Sequence, residues 1–209
     1  MRFGPKLRPR KGHHRFFGCV FDGGTTAQKR RNVAVREFRG VDTRRSLRVG
    51  EMPPPLLFDI DSLDLGAVRL DRGQIYDLLP HRHEFMLLSR VCLIDSEAFR
   101  IAGVADLTPE DWWCKGHVPG KPLLPGVLML EMGGQLTAIL AKVVKGYDSF
   151  IAFGGVEDCK FRETVFPPAR MVFLGVGLEH RSRRIVSSVQ GLVEGRLVFE
   201  AKMTGLILG

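Results

Sequence analysis

Cysteine is scarce in this chain, and its four copies are scattered, at positions 19, 92, 114 and 159. No two of them form a CxxC pair, so neither a disulfide framework nor a zinc ribbon is predicted. Cys114 and His117 resemble half of a metal site, but no second Cys/His pair accompanies them. We interpret Cys114 as a small apolar side chain beside a loop. The sequence therefore predicts no metal or other cofactor, and it predicts a reducing cytoplasmic location.

The first 51 residues lack the apolar stretch of a secretory signal and any sustained period of 2 or 3.6. What they contain is positive charge: 14 Lys and Arg against 4 Asp and Glu, a net of +10. Residues 52–209 hold 17 against 19, a net of −2. Residues 1–51 are therefore predicted to be a basic, disordered arm, and residues 52–209 a single domain.

Three interpretations of the basic arm remain open. Translation could begin at Met52, where the first stretch of balanced charge starts. The arm could instead be an Arg-rich, acid-poor transit peptide, or a segment that binds a polyanion. Because no pattern of stacking aromatic residues accompanies the charge, nucleic acid is not predicted as a partner.

Charge is also nearly absent from Pro122 to Ala141, where Glu131 is the only charged residue. Apolar residues on every face predict a buried core helix over residues 126–145. It is not predicted to span a membrane, because Glu131, Gln135, glycines and prolines interrupt a run judged too short. Desolvating a carboxylate costs several kcal/mol unless it is paired or protonated, so Glu131 is predicted to have a function.

A histidine lies fourteen positions before this carboxylate, in a loop rich in glycine and proline. His117 and Glu131 are the parts of an acid–base site and are predicted to be catalytic. Gln135 follows Glu131 by one helical turn, on the same face, where it can orient the carboxyl group. Gly126 begins the helix, where free N–H groups could polarise a carbonyl. Gly126 and Gln135 are therefore predicted to bind substrate.

Two segments resemble the signatures of one known family. GHVPGKPLLPGVLMLEMGGQ, residues 116–135, is similar to GHFPGxPxxPGVLxxEAxAQ, and LPHRHEFMLLSRV, residues 79–91, is similar to LPHRYPFLLVDRV. These are signatures of the β-hydroxyacyl-acyl carrier protein dehydratases. The resemblance covers about residues 72–208. A glutamate at position 131 resembles the dehydratase-only, FabZ-like branch.

The resemblance implies an α+β hot-dog fold, an antiparallel sheet wrapped around a long central helix. The pattern along the chain agrees: it predicts a helix at 71–79 and strands near 86–94, 98–107, 150–156, 160–165, 170–179, 184–194 and 196–208. The family also implies a homodimer or a hexamer of three dimers. In that assembly the histidine of one subunit meets the glutamate of the other.

The activity that the resemblance implies is dehydration of 3-hydroxyacyl-acyl carrier protein to the trans-2-enoyl product in fatty acid biosynthesis. His117 would take the C2 proton, and Glu131 would protonate or hydrogen-bond the leaving hydroxyl, with burial favouring its neutral form. A hot-dog thioesterase and a non-catalytic acyl-carrier-binding subunit remain alternatives. His81 and Arg82 are interpreted as structural. The basic residues Arg181, Arg183 and Arg184 form either a solvated turn or a docking site for acidic carrier protein.

Overall fold

The computed structural model describes residues 54–208, so the basic arm lies outside the described residues. These residues form a helix-wrapping sheet with the following elements: β1 (Leu70–Asp71), α1 (Arg72–Leu78), β2 (Arg90–Asp95), β3 (Arg100–Leu107), α2 (Gly126–Lys145), β4 (Phe150–Phe161), β5 (Ala169–Arg181), β6 (Arg184–Val193) and β7 (Arg196–Leu208). Two single turns of 3-10 helix, His83–Phe85 and Trp112–Cys114, lie in the connecting loops.

The seven strands form one antiparallel sheet in the order β1-β2-β3-β5-β6-β7-β4. Helix α2 lies against its inner face, and the two share one apolar core. Both layers contribute large, fully buried side chains to this core: Met132, Leu136, Ile139 and Leu140 from the helix, and Ile101, Met171, Phe173 and Phe199 from the strands. This arrangement confirms the predicted α+β hot-dog fold.

Helix α2 has the bounds that the sequence predicts, and Gly146 explains its end. Gly146 adopts the left-handed conformation at φ 68°, and its N–H donates to the Lys142 carbonyl at 2.9 Å, which is the usual C-terminal arrangement. One reason given for excluding a membrane span was wrong: at 20 residues the helix is long enough and apolar enough to cross a membrane. Half of that stretch is buried in the structure, which agrees with the predicted core helix. The helix is not covered at its start, where Val127 is 68% exposed.

Strand β4 differs from the sequence prediction of two strands. One strand runs from Phe150 to Phe161, and a register shift between Glu157 and Lys160 absorbs the irregularity that looked like a break. Asp158 lies in this shift with φ 51°. Strand β4 is the last in the sheet and pairs only with β7, so its outer edge is unpaired within the described residues.

Residues 56–67 form a strap across the outer face of the sheet, in a segment where the sequence predicted no helix or strand. Apolar strap residues pack on a second buried cluster formed by Cys92, Ala102, Val104, Val172, Leu174 and Leu192. Buried Gln190 anchors the strap at both its polar atoms: it accepts from Leu57 N–H at 2.8 Å and donates to the Pro55 carbonyl at 3.1 Å. The strap therefore covers the outer face of strands β2, β3, β5 and β6.

Candidate active site

The Glu131 carboxylate is held by two hydrogen bonds to a single oxygen. Oε1 lies 3.0 Å from Nε2 of His81 and accepts from Nε2 of Gln135 at 2.8 Å. No described residue hydrogen-bonds Oε2. The side chain is 28% exposed, so the carboxylate is fixed through one oxygen while the other stays available.

Gln135 is fixed in turn by a chain of hydrogen bonds that reaches across to helix α1. Its Nε2 also donates to the Phe85 carbonyl at 2.9 Å, and its Oε1 accepts from the Tyr76 hydroxyl at 2.9 Å. The same hydroxyl accepts from Leu88 N–H at 2.8 Å. Burial raises the pKa of Tyr76 to about 12, so the hydroxyl keeps its proton and remains a donor. The contact between Gln135 and Glu131 confirms the geometry expected from their four-residue spacing.

The pKa of Glu131 lies below its ordinary value of 4.5. The hydrogen bond from His81 is the largest cause, and it outweighs the opposing effect of burial, with Gln135 lowering the pKa further. The expectation that burial favours the neutral carboxylic acid was therefore wrong, because the two donors stabilise the ionised form.

His81 is a residue whose position the sequence analysis missed. It lies in the loop after α1, and Arg82 fixes that loop by donating from Nη1 to the carbonyls of Tyr76, Leu79 and His81 at 2.7–2.8 Å. Pro80 ends the helix, so the next side chain can turn back towards α2. The available signal was the Leu-Pro-His-Arg segment itself, which was noted as a resemblance but given no chemical role.

His117 lies in the loop between β3 and α2 and is exposed. Its backbone N–H donates to the Trp113 carbonyl at 2.9 Å, which anchors the loop. Its ring Nδ1 lies 3.0 Å from the Leu123 carbonyl. Since a carbonyl can only accept, Nδ1 carries the proton, which leaves the lone pair on Nε2. That is the tautomer a general base needs.

Gly126 occupies the first position of α2 for a steric reason. A Cβ atom there would lie 2.9 Å from the ring of Phe161, closer than side-chain contacts allow. The N–H groups of Gly126 and Val127 find no acceptor among the described residues, and Pro125 offers no side-chain cap. Two unpaired donors at the positive end of a helix can bind a carbonyl oxygen or an anion.

The structure places the two predicted catalytic residues in different cavities of one protomer. Glu131 lines a cavity of about 220 Å³ between α2 and strands β4, β6 and β7, together with His81 and Gln135. His117 lines another of about 310 Å³, beside Trp112 and Val127. Both Trp112 and Trp113 line the second cavity, but Trp113 is buried whereas Trp112 is 51% exposed. A single protomer therefore does not bring His117 and Glu131 into one site.

No cluster of three His, Cys, Asp or Glu side chains suited to a metal ion occurs between residues 54 and 208. Cys114, beside His117 in sequence, is buried, and its Sγ contacts the Thr108 carbonyl at 3.6 Å. This agrees with its interpretation as an apolar side chain beside a loop.

Comparison with known proteins identifies the family of this chain. Residues 79–202 match the FabA-like domain, a range that includes His81, His117, Gly126, Glu131 and Gln135. The chain is 34% identical over 139 residues to the 3-hydroxyacyl-acyl-carrier-protein dehydratase FabZ of Sinorhizobium medicae, covering 66% of this chain and 90% of the relative. The FabZ of Sorangium cellulosum is 35% identical over 144 residues, covering 68% of this chain and 92% of the relative.

Among solved structures, the dehydratase heterocomplex ApeI:P from Xenorhabdus doucetiae is similar with a TM-score of 0.56. The matched region covers 65% of this chain and 91% of the solved chain, with 13% sequence identity. This similarity supports the fold alone. The family match covers more than half of the chain and includes both predicted catalytic residues, His117 and Glu131. This chain therefore belongs to the FabA-like family, in which the relatives similar to it are FabZ dehydratases.

Proposed function

We propose that this protein dehydrates 3-hydroxyacyl-acyl carrier protein to trans-2-enoyl-acyl carrier protein in fatty acid biosynthesis, without a metal or redox cofactor. The observation that carries the proposal is the Glu131 carboxylate, held through Oε1 in a largely apolar cavity with Oε2 unbonded. An acyl chain suits such a lining. The FabA-like match across the same residues supports the reaction class.

The reaction removes a proton from C2 and a hydroxyl group from C3. The free N–H groups at the start of α2 polarise the thioester carbonyl and so acidify the C2 proton. His117 Nε2 accepts that proton, because Nδ1–H already donates to the Leu123 carbonyl. Glu131 Oε2 holds the C3 hydroxyl. The electrons of the C2–H bond then form the double bond as the C3–O bond breaks.

The low pKa of Glu131 bears on the source of the proton that leaves with the hydroxyl group. A glutamate with an ordinary pKa is already ionised at pH 7, and the pKa of Glu131 is lower still, mainly because His81 hydrogen-bonds its carboxylate. We therefore assign Glu131 the role of a carboxylate that accepts a hydrogen bond from the hydroxyl. The proton that His117 took from C2 then leaves with the hydroxyl as water, and both residues return to their starting states.

The separation of His117 and Glu131 in one protomer supports a homodimer as the active unit. Strand β4 presents an unpaired edge, and three of its apolar side chains, Phe150, Phe153 and Val156, are 41–52% exposed. Exposed apolar edges of this kind pair with other strands. Pairing two copies through β4 would cover these residues and bring the partner subunit's His117 towards Glu131. Further assembly into a hexamer remains an expectation from the family.

A basic turn beside the Glu131 cavity suits an acidic carrier protein. Arg183 lies between β5 and β6 and forms no ion pair with a described residue, while Arg181 and Arg184 both pair with Glu179. Ile185, which follows Arg184 in the chain, lines the Glu131 cavity. We propose that carrier protein docks at this turn and that the enzyme works in the cytoplasm, where the carrier-bound substrate would be made.

Product analysis tests this function. Purified full-length protein would be incubated with a 3-hydroxyacyl-acyl carrier protein, with enoyl absorbance and free thiol followed together. The variants are His117→Ala and Glu131→Gln, and Glu97→Gln, in the exposed β2–β3 turn, is the matched control. We expect enoyl product from the wild type and from the control but not from the two site variants. Free acid and thiol would instead establish a thioesterase, and carrier binding without any product would establish a binding subunit.

A further inference from the structure

His81 contacts the candidate carboxylate although the proposed reaction gives it no step. Its Nε2 lies 3.0 Å from Glu131 Oε1, and both side chains are about 27–28% exposed. Arg82 holds the backbone of this loop through three carbonyls, among them that of His81. These hydrogen bonds fix the backbone that places the imidazole next to Glu131.

We propose that His81 is a positioning residue for Glu131: it donates Nε2–H to Oε1, holds the carboxylate ionised and leaves Oε2 directed at the hydroxyl of the substrate. This inference rests on the proposed dehydration for its catalytic consequence, but the contact itself is independent of the reaction. Gln135 donates to the same oxygen from the helix side. Two donors on Oε1, from two different elements, restrict rotation of the carboxyl group more than one donor would.

The surroundings of His81 indicate which nitrogen carries its proton. Nδ1 is buried and has no hydrogen-bond partner among the described residues. A buried N–H at Nδ1 would have no acceptor and would destabilise the fold. An N–H at Nε2 can donate to the Glu131 carboxylate, 3.0 Å away. The neutral tautomer protonated on Nε2 fits both observations.

Few other ionisable groups act on this pair. Tyr76, from α1, reaches it through Gln135, and its hydroxyl keeps its proton. The parts of β4, β6 and β7 that line the cavity contribute apolar side chains, glycine, serine and threonine. The pKa of Glu131 is lowered mainly by the hydrogen bond from His81. Removing the imidazole should therefore change the ionisation of Glu131 directly.

The test uses full-length protein and two readouts. Nuclear magnetic resonance of protein labelled with carboxyl-¹³C glutamate gives the titration midpoint of Glu131, assigned by loss of its signal in Glu131→Gln. Steady-state kinetics on the 3-hydroxyacyl thioester gives kcat and KM separately. The variants are His81→Phe, which removes the donor, and His81→Gln, which keeps an N–H donor. His83→Gln, in the same loop, is the control, and thermal unfolding reports whether each variant is folded.

We expect His81→Phe to raise the Glu131 midpoint and to lower kcat by about 10- to 100-fold, because a misplaced catalytic group can lose as much as about 100-fold. KM should change much less than kcat, because the proposed role of His81 is to orient Glu131 and not to bind the substrate. His81→Gln should lose less, and His83→Gln should match the wild type in both readouts. If His81→Phe is unfolded, the same comparison is made with His81→Ala.

An unchanged Glu131 midpoint in folded His81→Phe would overturn the proposal, whatever the kinetics. A shifted midpoint with unchanged kcat would also overturn it, because the contact would then have no catalytic consequence. A wild-type protein that forms no enoyl product would refute the proposed function instead. In that case the midpoint alone decides whether His81 controls the ionisation of Glu131.

Discussion

The Tyr76 hydroxyl and the Gln135 side-chain oxygen lie 2.9 Å apart, although 59 positions separate the two residues in the chain. This hydrogen bond joins α1 to the middle of the core helix. It also ties the Leu88 backbone to the site, because the same hydroxyl accepts from Leu88 N–H. The position of Glu131 therefore depends on contacts made well outside its own helix.

Tyr76→Phe should destabilise the protein, because it leaves the buried Gln135 oxygen and Leu88 N–H without partners. The expected loss in the free energy of unfolding is about 1–3 kcal/mol, measured by urea denaturation. Tyr147→Phe is the control, since the Tyr147 hydroxyl makes no hydrogen bond to a described residue. A Tyr76→Phe variant as stable as this control would show that the chain of hydrogen bonds adds little.

The strap across the outer face should stabilise the domain. A protein beginning at residue 70 loses the apolar cover over Val104, Val172 and Leu192, whereas one beginning at residue 52 keeps it. Burying one large apolar side chain contributes about 1.5–3 kcal/mol, so we expect the shorter protein to lose several kcal/mol or to aggregate. Denaturation of both against the full chain measures this. Equal stability of the two truncated proteins would contradict a structural role for the strap.

Replacing Gly126 by alanine should destabilise the start of α2. The new Cβ atom would lie 2.9 Å from the Phe161 ring, and relieving such overpacking typically costs about 1–3 kcal/mol. Gly116→Ala is the matched control, because a Cβ atom there meets nothing within 4 Å. Adding Phe161→Leu to Gly126→Ala should restore part of the loss. No restoration would indicate that the conformation at Gly126, and not the ring, causes the effect.

The lowered pKa of Glu131 makes a contribution to stability that depends on pH. Because the folded state binds the proton more weakly than the unfolded state, this contribution is present above the ordinary pKa of 4.5 and is lost as pH falls below it. We therefore expect the stability difference between wild type and Glu131→Gln to change as the pH falls below about 4.5. Denaturation at a series of pH values measures it. A difference that is flat through the acid range would contradict a lowered pKa.

Sequence reasoning predicted those parts of the site that share one continuous motif. Helix α2 begins at Gly126 and ends at Lys145 as expected, because a predominantly apolar run and the glycine that follows it encode those bounds locally. The contact of Gln135 with Glu131 also follows from spacing alone.

The features that were missed depend on contacts between distant segments. The distance between His81 and Glu131, fifty positions away, is set by how α1 packs against α2, which no local pattern reports. The strap looked like a connecting segment because its apolar residues follow no regular period. Burial alone suggested a neutral Glu131. The hydrogen-bond donor that favours the ionised carboxylate, His81, comes from another loop and could not be predicted from the helix.

The central claim is that His117 and Glu131 form one site across two subunits, and subunit mixing tests it most directly. His117→Ala and Glu131→Gln would each be purified, denatured, mixed in equal amounts and refolded, and the rate of enoyl formation compared with each variant refolded alone. Random pairing gives half mixed dimers, each with one intact site, so the account predicts recovery of about one quarter of the wild-type rate. Two inactive variants whose mixture stays inactive, while refolded wild type regains its rate, would contradict it.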